Sequence, residues 1–222
     1  MNPAKSFLTL AIGALLAGTL TSCVNLRRAD APAHYYMLST PPASPTPVSA
    51  GDSELAVGLG AVEIPSYLLD RRIAVCRGPN EIKYLEYDRW SERLDKGIQR
   101  VLAAHLAAAL PSDRVLRSAW RRDDVACEIY VTISRFEIDE QGRVIVEANW
   151  RMTSPAGEKT WRAGHTRVAK EGPAFGLNPR GAVDALSQAL SDLSGQIAAD
   201  LRGISTTTGR QNVTEANASP EG

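Results

Sequence analysis

Cys23 is the residue whose surroundings most clearly specify a reaction. An apolar run from Phe7 to Leu20 follows Lys5, and no acidic residue occurs before Asp30. The run has the length of a signal-peptide core and is short of the roughly 20 apolar residues that a membrane-spanning helix needs. It ends on Leu20-Thr21-Ser22-Cys23, an aliphatic residue and two small ones before a thiol, which is the pattern of a bacterial lipobox. The thiol can take a diacylglycerol, the small residues let a peptidase reach the bond before Cys23, and the freed amine can then accept a further chain such as palmitate. Each buried CH₂ contributes about 0.8 kcal/mol, so two or three acyl chains hold a protein firmly on a membrane. Val24 and Asn25 follow the Cys, where an Asp would favour retention in the inner membrane. The expected location is therefore the periplasmic face of the outer membrane.

No other constellation specifies chemistry as clearly. Gly58-Leu59-Gly60 starts like a dinucleotide loop, but Ala61-Val62-Glu63 lacks the third Gly and the surroundings read as strand. There is no P-loop, no Gly-x-Ser-x-Gly elbow and no His-Glu-x-x-His. The three His, at 34, 105 and 165, share no metal-ligand spacing. Asp88 and Glu92 flank the start of a helix, where negative charge suits the dipole. The expectation is no catalytic site, no metal, no cofactor and no enzyme. Cys76 and Cys127 are the two cysteines besides Cys23. Both fall in expected strands of an envelope protein, where they are either a cross-strand disulfide or two buried thiols.

The elements that position these residues follow from two periods. Tyr35-Tyr36-Met37-Leu38, Leu55 to Ile64, Ile73 to Cys76 and Ile82 to Tyr87 read as strands, the last two joined at Gly78-Pro79-Asn80. Leu94, Ile98, Val101, Leu102, Leu106 and Ala109 then fall on one face of a helix that Ser91 can cap and Pro111 ends. Val115-Leu116 is a short strand. Cys127, Ile129, Val131 and Ile133 alternate with polar residues, and Phe136 and Ile138 continue in the opposite phase, which places a bulge near Ser134-Arg135. Val144 to Met152 and Lys159 to Ala169 complete a meander, with Trp150 facing the core. A final helix is capped by Asn178, has Pro179 at its first position and closes at Gly203. Its stripe runs from Ala182 to Leu201, with Ser187, Ser191 and Ser194 off it. The expected fold is α+β, a mostly antiparallel sheet with two amphipathic helices packed on it. The expected division is a signal peptide at 1–22, a lipidated tether at 23–34, one domain at 35–203 and a disordered tail at 204–222.

Composition bounds the partners. The chain carries 25 basic and 25 acidic residues, and loss of Lys5 with the signal peptide leaves a net of −1. That balance gives no reason to expect nucleic acid. Trp120 stands between Arg117 and Arg121-Arg122, as either a core residue or an exposed partner contact.

The order of motifs resembles a known family. Tyr35-Tyr36-Met37-Leu38 is followed by Val57 to Leu69 (VGLGAVEIPSYLL), then Asp70-Arg71-Arg72-Ile73, then Glu86 to Leu94 (EYDRWSERL) and the helix ending near Leu110-Pro111. This resembles the PqiC/YmbA family of ABC-type transport auxiliary lipoproteins. The resemblance covers residues 35–203 and rests on packing and turn residues. It implies a non-catalytic outer-membrane lipoprotein that works with an MCE-domain (PqiB-like) protein and its ABC and integral membrane subunits in intermembrane lipid transport, and that can assemble as a homo-oligomeric ring. On this reading the partner-facing surfaces are the Tyr67–Arg72 loop, with Tyr67, Arg71 and Arg72, and the Arg117–Arg122 segment, with Trp120. The runner-up is a stand-alone lipid-binding or outer-membrane assembly lipoprotein.

Overall fold

A computed structural model of the chain describes residues 32–40, 56–110, 115–117, 119–174, 176 and 178–216, with side chains as far as Ile204. Cys23 and its lipobox residues Leu20, Thr21 and Ser22 lie outside the described residues, as do 24–31 of the tether. The strands and helices all belong to the unit Ala33–Gly222.

The strands are β1 (His34–Tyr36), β2 (Ala56–Leu59), β3 (Arg72–Arg77), β4 (Glu81–Trp90), β5 (Val115–Leu116), β6 (Val125–Asp139), β7 (Arg143–Thr153) and β8 (Thr160–Glu171). The helices are α1 (Leu94–Ala109) and α2 (Pro179–Ala216). β6 organises them. One of its edges is taken along most of its length by antiparallel β7, which in turn pairs with β8. The other edge is divided. β2 runs parallel to its first third, from Ala56–Val125 to Leu59–Ile129, and β3 runs parallel to its end at Val75–Ile138 and Cys76–Asp139. Between them Glu63 closes the gap, donating its N–H to Val131 O at 3.1 Å and accepting from Ile133 N at 2.8 Å. β1 lies parallel to β4, and β5 parallel to β2.

The sheet is therefore mixed, which corrects the expectation of a mostly antiparallel one. Alternation shows which face a residue occupies but not the direction of the neighbouring strand. The α+β class and the two packed helices stand. The bulge at Ser134-Arg135 is present as a register shift between Ile133 and Arg135. It moves Phe136 and Ile138 onto the buried face with Ile129, Val131 and Ile133.

α1 buries Leu94, Ile98, Val101, Leu102 and Leu106, and α2 buries Ala182, Val183, Leu186, Ala189, Leu190, Leu193, Ile197 and Leu201. These stripes meet each other, and α2 packs on β8 and on the buried face of β7, where Val144, Val146, Ala148, Trp150 and Met152 alternate. Trp150 is in the core and its indole donates to Thr166 Oγ1 at 3.1 Å. Its ring lies so close over the directly paired Gly164 that no Cβ fits there.

Several details differ from expectation. Arg93, not Ser91, precedes the first turn of α1, and it makes no side-chain cap. Ser91 is still tied to the sheet, donating its N–H to Tyr36 O at 2.8 Å. Glu92 reaches along the helix to Arg100, whose guanidinium donates to it at 2.7 Å, and Asp88 accepts from Tyr36 Oη at 2.9 Å. Asn178 does cap α2, accepting from Gly181 N at 3.0 Å. Ser187 and Ser194 are buried rather than off the stripe. Each hydroxyl donates to the carbonyl four residues back, at 3.0 Å to Val183 and 2.7 Å to Leu190, which removes the cost of burying it. α2 runs past Gly203 to Ala216. A single Gly costs only about 1 kcal/mol inside a helix, and no Pro follows before Pro220 to stop it.

Candidate functional site

Two surface regions combine aromatic and arginine side chains, and the fold builds them differently. The first is the corner where β1, β4 and β3 meet. Tyr35 pairs with Arg89 in parallel register, and Arg89 pairs with Arg72 in antiparallel register. Paired residues project from the same face, so Arg72, Arg89 and Tyr35 form a row across three strands, and Tyr87, two residues before Arg89, shares that face. Backbone bonds lock the corner: Trp90 N donates to Arg71 O at 2.7 Å and Ser91 N to Tyr36 O at 2.8 Å. The Arg71 guanidinium donates to Trp90 O at 3.3 Å and Ser91 O at 2.6 Å.

The corner is open. Among the described residues the large exposed hydrophobic side chains are Tyr35 (61 %), Met37 (60 %), Leu69 (56 %), Tyr87 (43 %) and Trp161 (38 %). Four of these five belong to the corner or to the Ser66–Leu69 turn that leads into it, and Trp161 is on β8. Arg72 stacks on the Tyr84 ring at 4.8 Å and pairs with Asp70 at 2.6 Å. Its hydrogen bonds hold the Asp70 carboxyl down at about 2. Tyr67 is not part of the open surface. It is half-buried, its hydroxyl lies 3.5 Å from Glu137, and its carbonyl accepts from Tyr84 Oη at 2.9 Å. Burial, then the Glu137 charge, push its hydroxyl up to about 12. Tyr67 therefore supports the corner from beneath.

The second region surrounds Trp120. Its indole covers Gly58, where a Cβ would come within 2.7 Å of the ring, and its Nε1 donates to Glu128 Oε1 at 2.9 Å. Glu128 Oε2 accepts from Tyr130 Oη at 2.8 Å, and the Arg151 guanidinium stacks on the Tyr130 ring at 4.7 Å. Glu128 is 6 % exposed. Burial alone would raise its pKa, but hydrogen bonds from Trp120, Tyr130 and the Ala156 backbone outweigh burial and hold it below the ordinary glutamate value. From the helix side, buried Gln99 gives its Nε2 to the carbonyls of Leu59, Gly60 and Arg117 at 3.2, 2.8 and 3.2 Å. The segment is thus pinned at both ends, and Arg117, Arg121 and Arg122 are exposed on it. Beside it a groove of about 380 Å³ is lined by Ala61, Glu63, Tyr130, Thr132, Asn149 and Arg151 among others.

Sequence reasoning missed Glu128 and Gln99. Gln99 carries a legible signal: it lies three and seven residues before Leu102 and Leu106, on the buried stripe. Glu128 carries none, because alternation puts it on the outer face and only tertiary structure places Trp120 over it.

The two regions do not merge. β3 meets β6 only at Ile138 and Asp139, whereas Trp120 bonds Glu128 near the other end of β6. At about 3.3 Å per residue they are on the order of 20 Å apart or more. The same geometry rules out a Cys76–Cys127 disulfide. Cys76 pairs with Asp139, and Cys127 is 12 residues earlier on β6. That separation is on the order of 40 Å, far beyond the roughly 7 Å between Cα atoms that a disulfide allows. Both are free thiols. Burial first, then Glu137, pushes Cys76 up to about 11, and burial pushes Cys127 up to about 12. Among the described residues no group of His, Cys, Asp or Glu is placed to hold a metal ion, and no helix is long and apolar enough to cross a membrane.

A family model described as ABC-type transport auxiliary lipoprotein component matches residues 36–198. Among solved structures, one of an uncharacterized protein is similar at 19 % identity and a TM-score of 0.61, covering 77 % of this chain and 99 % of its own. A protein from Xanthomonas campestris is similar at 17 % identity and a TM-score of 0.60, covering 82 % of this chain and 99 % of its own. At these identities the likeness shows a shared fold. No curated protein matches the chain.

Proposed function

We propose, from the premise that this chain belongs to the ABC-type transport auxiliary lipoprotein component family, that it is the outer-membrane docking subunit of an intermembrane lipid transporter. In this reading it is of the PqiC/YmbA kind and is held on the periplasmic face by acyl chains on Cys23. It receives the outer end of a tunnel built by an MCE-domain, PqiB-like protein. Its contribution is binding and positioning rather than catalysis. The observation that carries the reading is the extent of the family match, from Tyr36 in β1 to Ala198 in α2, which takes in α1, the N-terminal half of α2 and the whole sheet apart from the first residues of β1.

The surface assigned to the protein partner is the Trp120 region. A docking site gains affinity when its contact groups are already fixed in place. Arg117, Arg121 and Arg122 meet that condition, because Trp120, Glu128 and Gln99 hold the segment that bears them. The adjoining groove adds Arg151 and Asn149 beside Glu63, Arg122 is paired with Glu158, and Asp123 and Asp124 are exposed next to it, so the partner's matching surface is polar and carries charges of both signs. Assembly as a ring of copies has a strand edge available to it: β8 pairs with β7 alone among the described strands.

Purification of the tagged, full-length protein from its native envelope tests the reading. The expected result is co-recovery of an MCE-domain protein with ABC subunits, reduced by a combined Arg117→Glu and Arg121→Glu variant. Recovery of neither component from gently solubilised membranes would overturn it. Native mass spectrometry separates a stand-alone lipid carrier, which would retain phospholipid without any partner.

A further inference from the structure

We infer that the β1–β4–β3 corner rests on the lipid head-group layer of the membrane to which Cys23 is anchored, so that the domain holds a fixed attitude to the bilayer instead of swinging on its tether. The inference rests on the reading of Cys23 as the lipidated residue.

Three observations carry it. The first is the concentration of exposed apolar groups: Tyr35, Met37 and Tyr87 lie at this corner, and Leu69 is on the turn that leads into it. Tyr has an apolar ring and a polar tip, which suits it to the boundary between acyl chains and water.

The second is charge. The Arg89 guanidinium makes no hydrogen bond or ion pair to any described residue, although it lies near enough to Asp70 to feel its field. Arg71 binds only the carbonyls of Trp90 and Ser91, so its charge has no carboxylate opposite it. Arg72 is matched by Asp70, and Asp88 is turned to the other face, toward Tyr36 and His34. The corner thus presents two arginine charges without a carboxylate partner beside a set of tyrosines. That combination suits lipid phosphates, which accept guanidinium donors while the rings enter the interface.

The third is where the chain leaves the corner. The 12 residues from Val24 to Tyr35 span at most about 40 Å when extended. Tyr35 is itself in the row of exposed residues, so the anchor holds this corner near the bilayer at high effective concentration. The Trp120 region lies elsewhere on the sheet and is left free for the protein partner.

The test uses the full-length, lipidated protein in vesicles of phosphatidylethanolamine and phosphatidylglycerol that contain a diazirine-bearing phosphatidylglycerol. After illumination, cross-linked peptides are mapped by mass spectrometry, and the acylation of Cys23 is read in the same digest. The expected result is lipid adducts on the peptides carrying Tyr35–Met37 and Tyr87–Arg89 and few on those carrying Trp161 or Trp120. Arg89→Glu and, separately, Tyr87→Ser should each lower the corner's adducts by roughly fivefold while Cys23 stays acylated. Acylated Cys23 with no enrichment at the corner would overturn the inference and leave the anchor intact. An unmodified Cys23 would overturn the anchor reading instead. Protection of the corner that requires added MCE-domain protein would reassign the surface to that partner.

Discussion

The corner at Tyr35 and the segment at Trp120 are made of the same residue types and behave as opposites. Each combines aromatic rings with several arginines. At the corner the rings stand exposed and two guanidinium charges lack a carboxylate. At Trp120 a buried carboxylate gathers the indole, the Tyr130 hydroxyl and a backbone N–H. The difference is a single side chain, Glu128. A buried, fully hydrogen-bonded carboxylate turns a loop into a fixed platform, and its removal leaves several donors unsatisfied at once. A surface row with no such centre gives nothing to stability and is free to bind something else.

The largest expected effect comes from removing that centre. Glu128→Ala strips the acceptor from Trp120 and Tyr130 and should destabilise the protein by about 2 kcal/mol, less than for a deeply enclosed site because water can reach Tyr130. Urea unfolding read by Trp fluorescence checks this. A midpoint equal to that of the wild type would remove the distinction between the two regions. The pH dependence sharpens the point. The folded Glu128 pKa lies below its ordinary value of 4.5, so the unfolded chain takes up the proton first as the solution is acidified. The stabilisation is complete above 4.5 and is lost as pH falls through the lower folded value. Glu128→Gln should therefore be less stable than the wild type at neutral pH, and the gap should close on acidification below 4.5.

A smaller effect probes the contact on the other side of the indole. Gly58→Ala places a methyl group 2.7 Å from the Trp120 ring carbons. The ring must move, at a cost of about 1–2 kcal/mol. In the Trp120→Ala background the obstacle is gone, so Gly58→Ala should cost almost nothing there. A double-mutant cycle in urea reads this coupling directly. Additive losses would mean that Gly58 and Trp120 are not in contact.

The contrast also shows where pattern was informative. The faces of β6 and β7, the phase change at Ser134-Arg135 and the Asn178-Pro179 start of α2 are local, and the alternation or capping chemistry of a few residues determines each of them. The pairing of β1 with β4, and the sharing of one β6 edge between β2 and β3, are not local. Residues distant in sequence meet there, and parallel neighbours leave no turn to announce them. For the same reason Cys76 and Cys127 looked like candidate partners although they sit near opposite ends of the sheet. Reductant should therefore leave the thermal midpoint unchanged. With both thiols pushed to about 11 and 12, the native protein should react with a thiol reagent at pH 8 far more slowly than the denatured chain, in which both react freely. Of the candidate site, the Arg-rich composition could be read in advance. The burial that separates Trp120 from Tyr35 could not, because it depends on Glu128 meeting Trp120 in the fold.

The smallest expected effect on stability is at the corner, and it is the most informative about use. Tyr87→Ser and Arg89→Glu remove groups that the core does not use, since Tyr87 is 43 % exposed and the Arg89 guanidinium bonds to no described residue. Their urea midpoints should match the wild type within error. Surface substitutions away from caps, cores and buried networks rarely do more. Evolution gains no stability from holding two tyrosines, a methionine and a leucine in water around unpaired arginines. A stable protein with an altered membrane contact would show that this corner is kept for binding, whereas loss of stability in either variant would show that it is a second structural network like the one around Glu128.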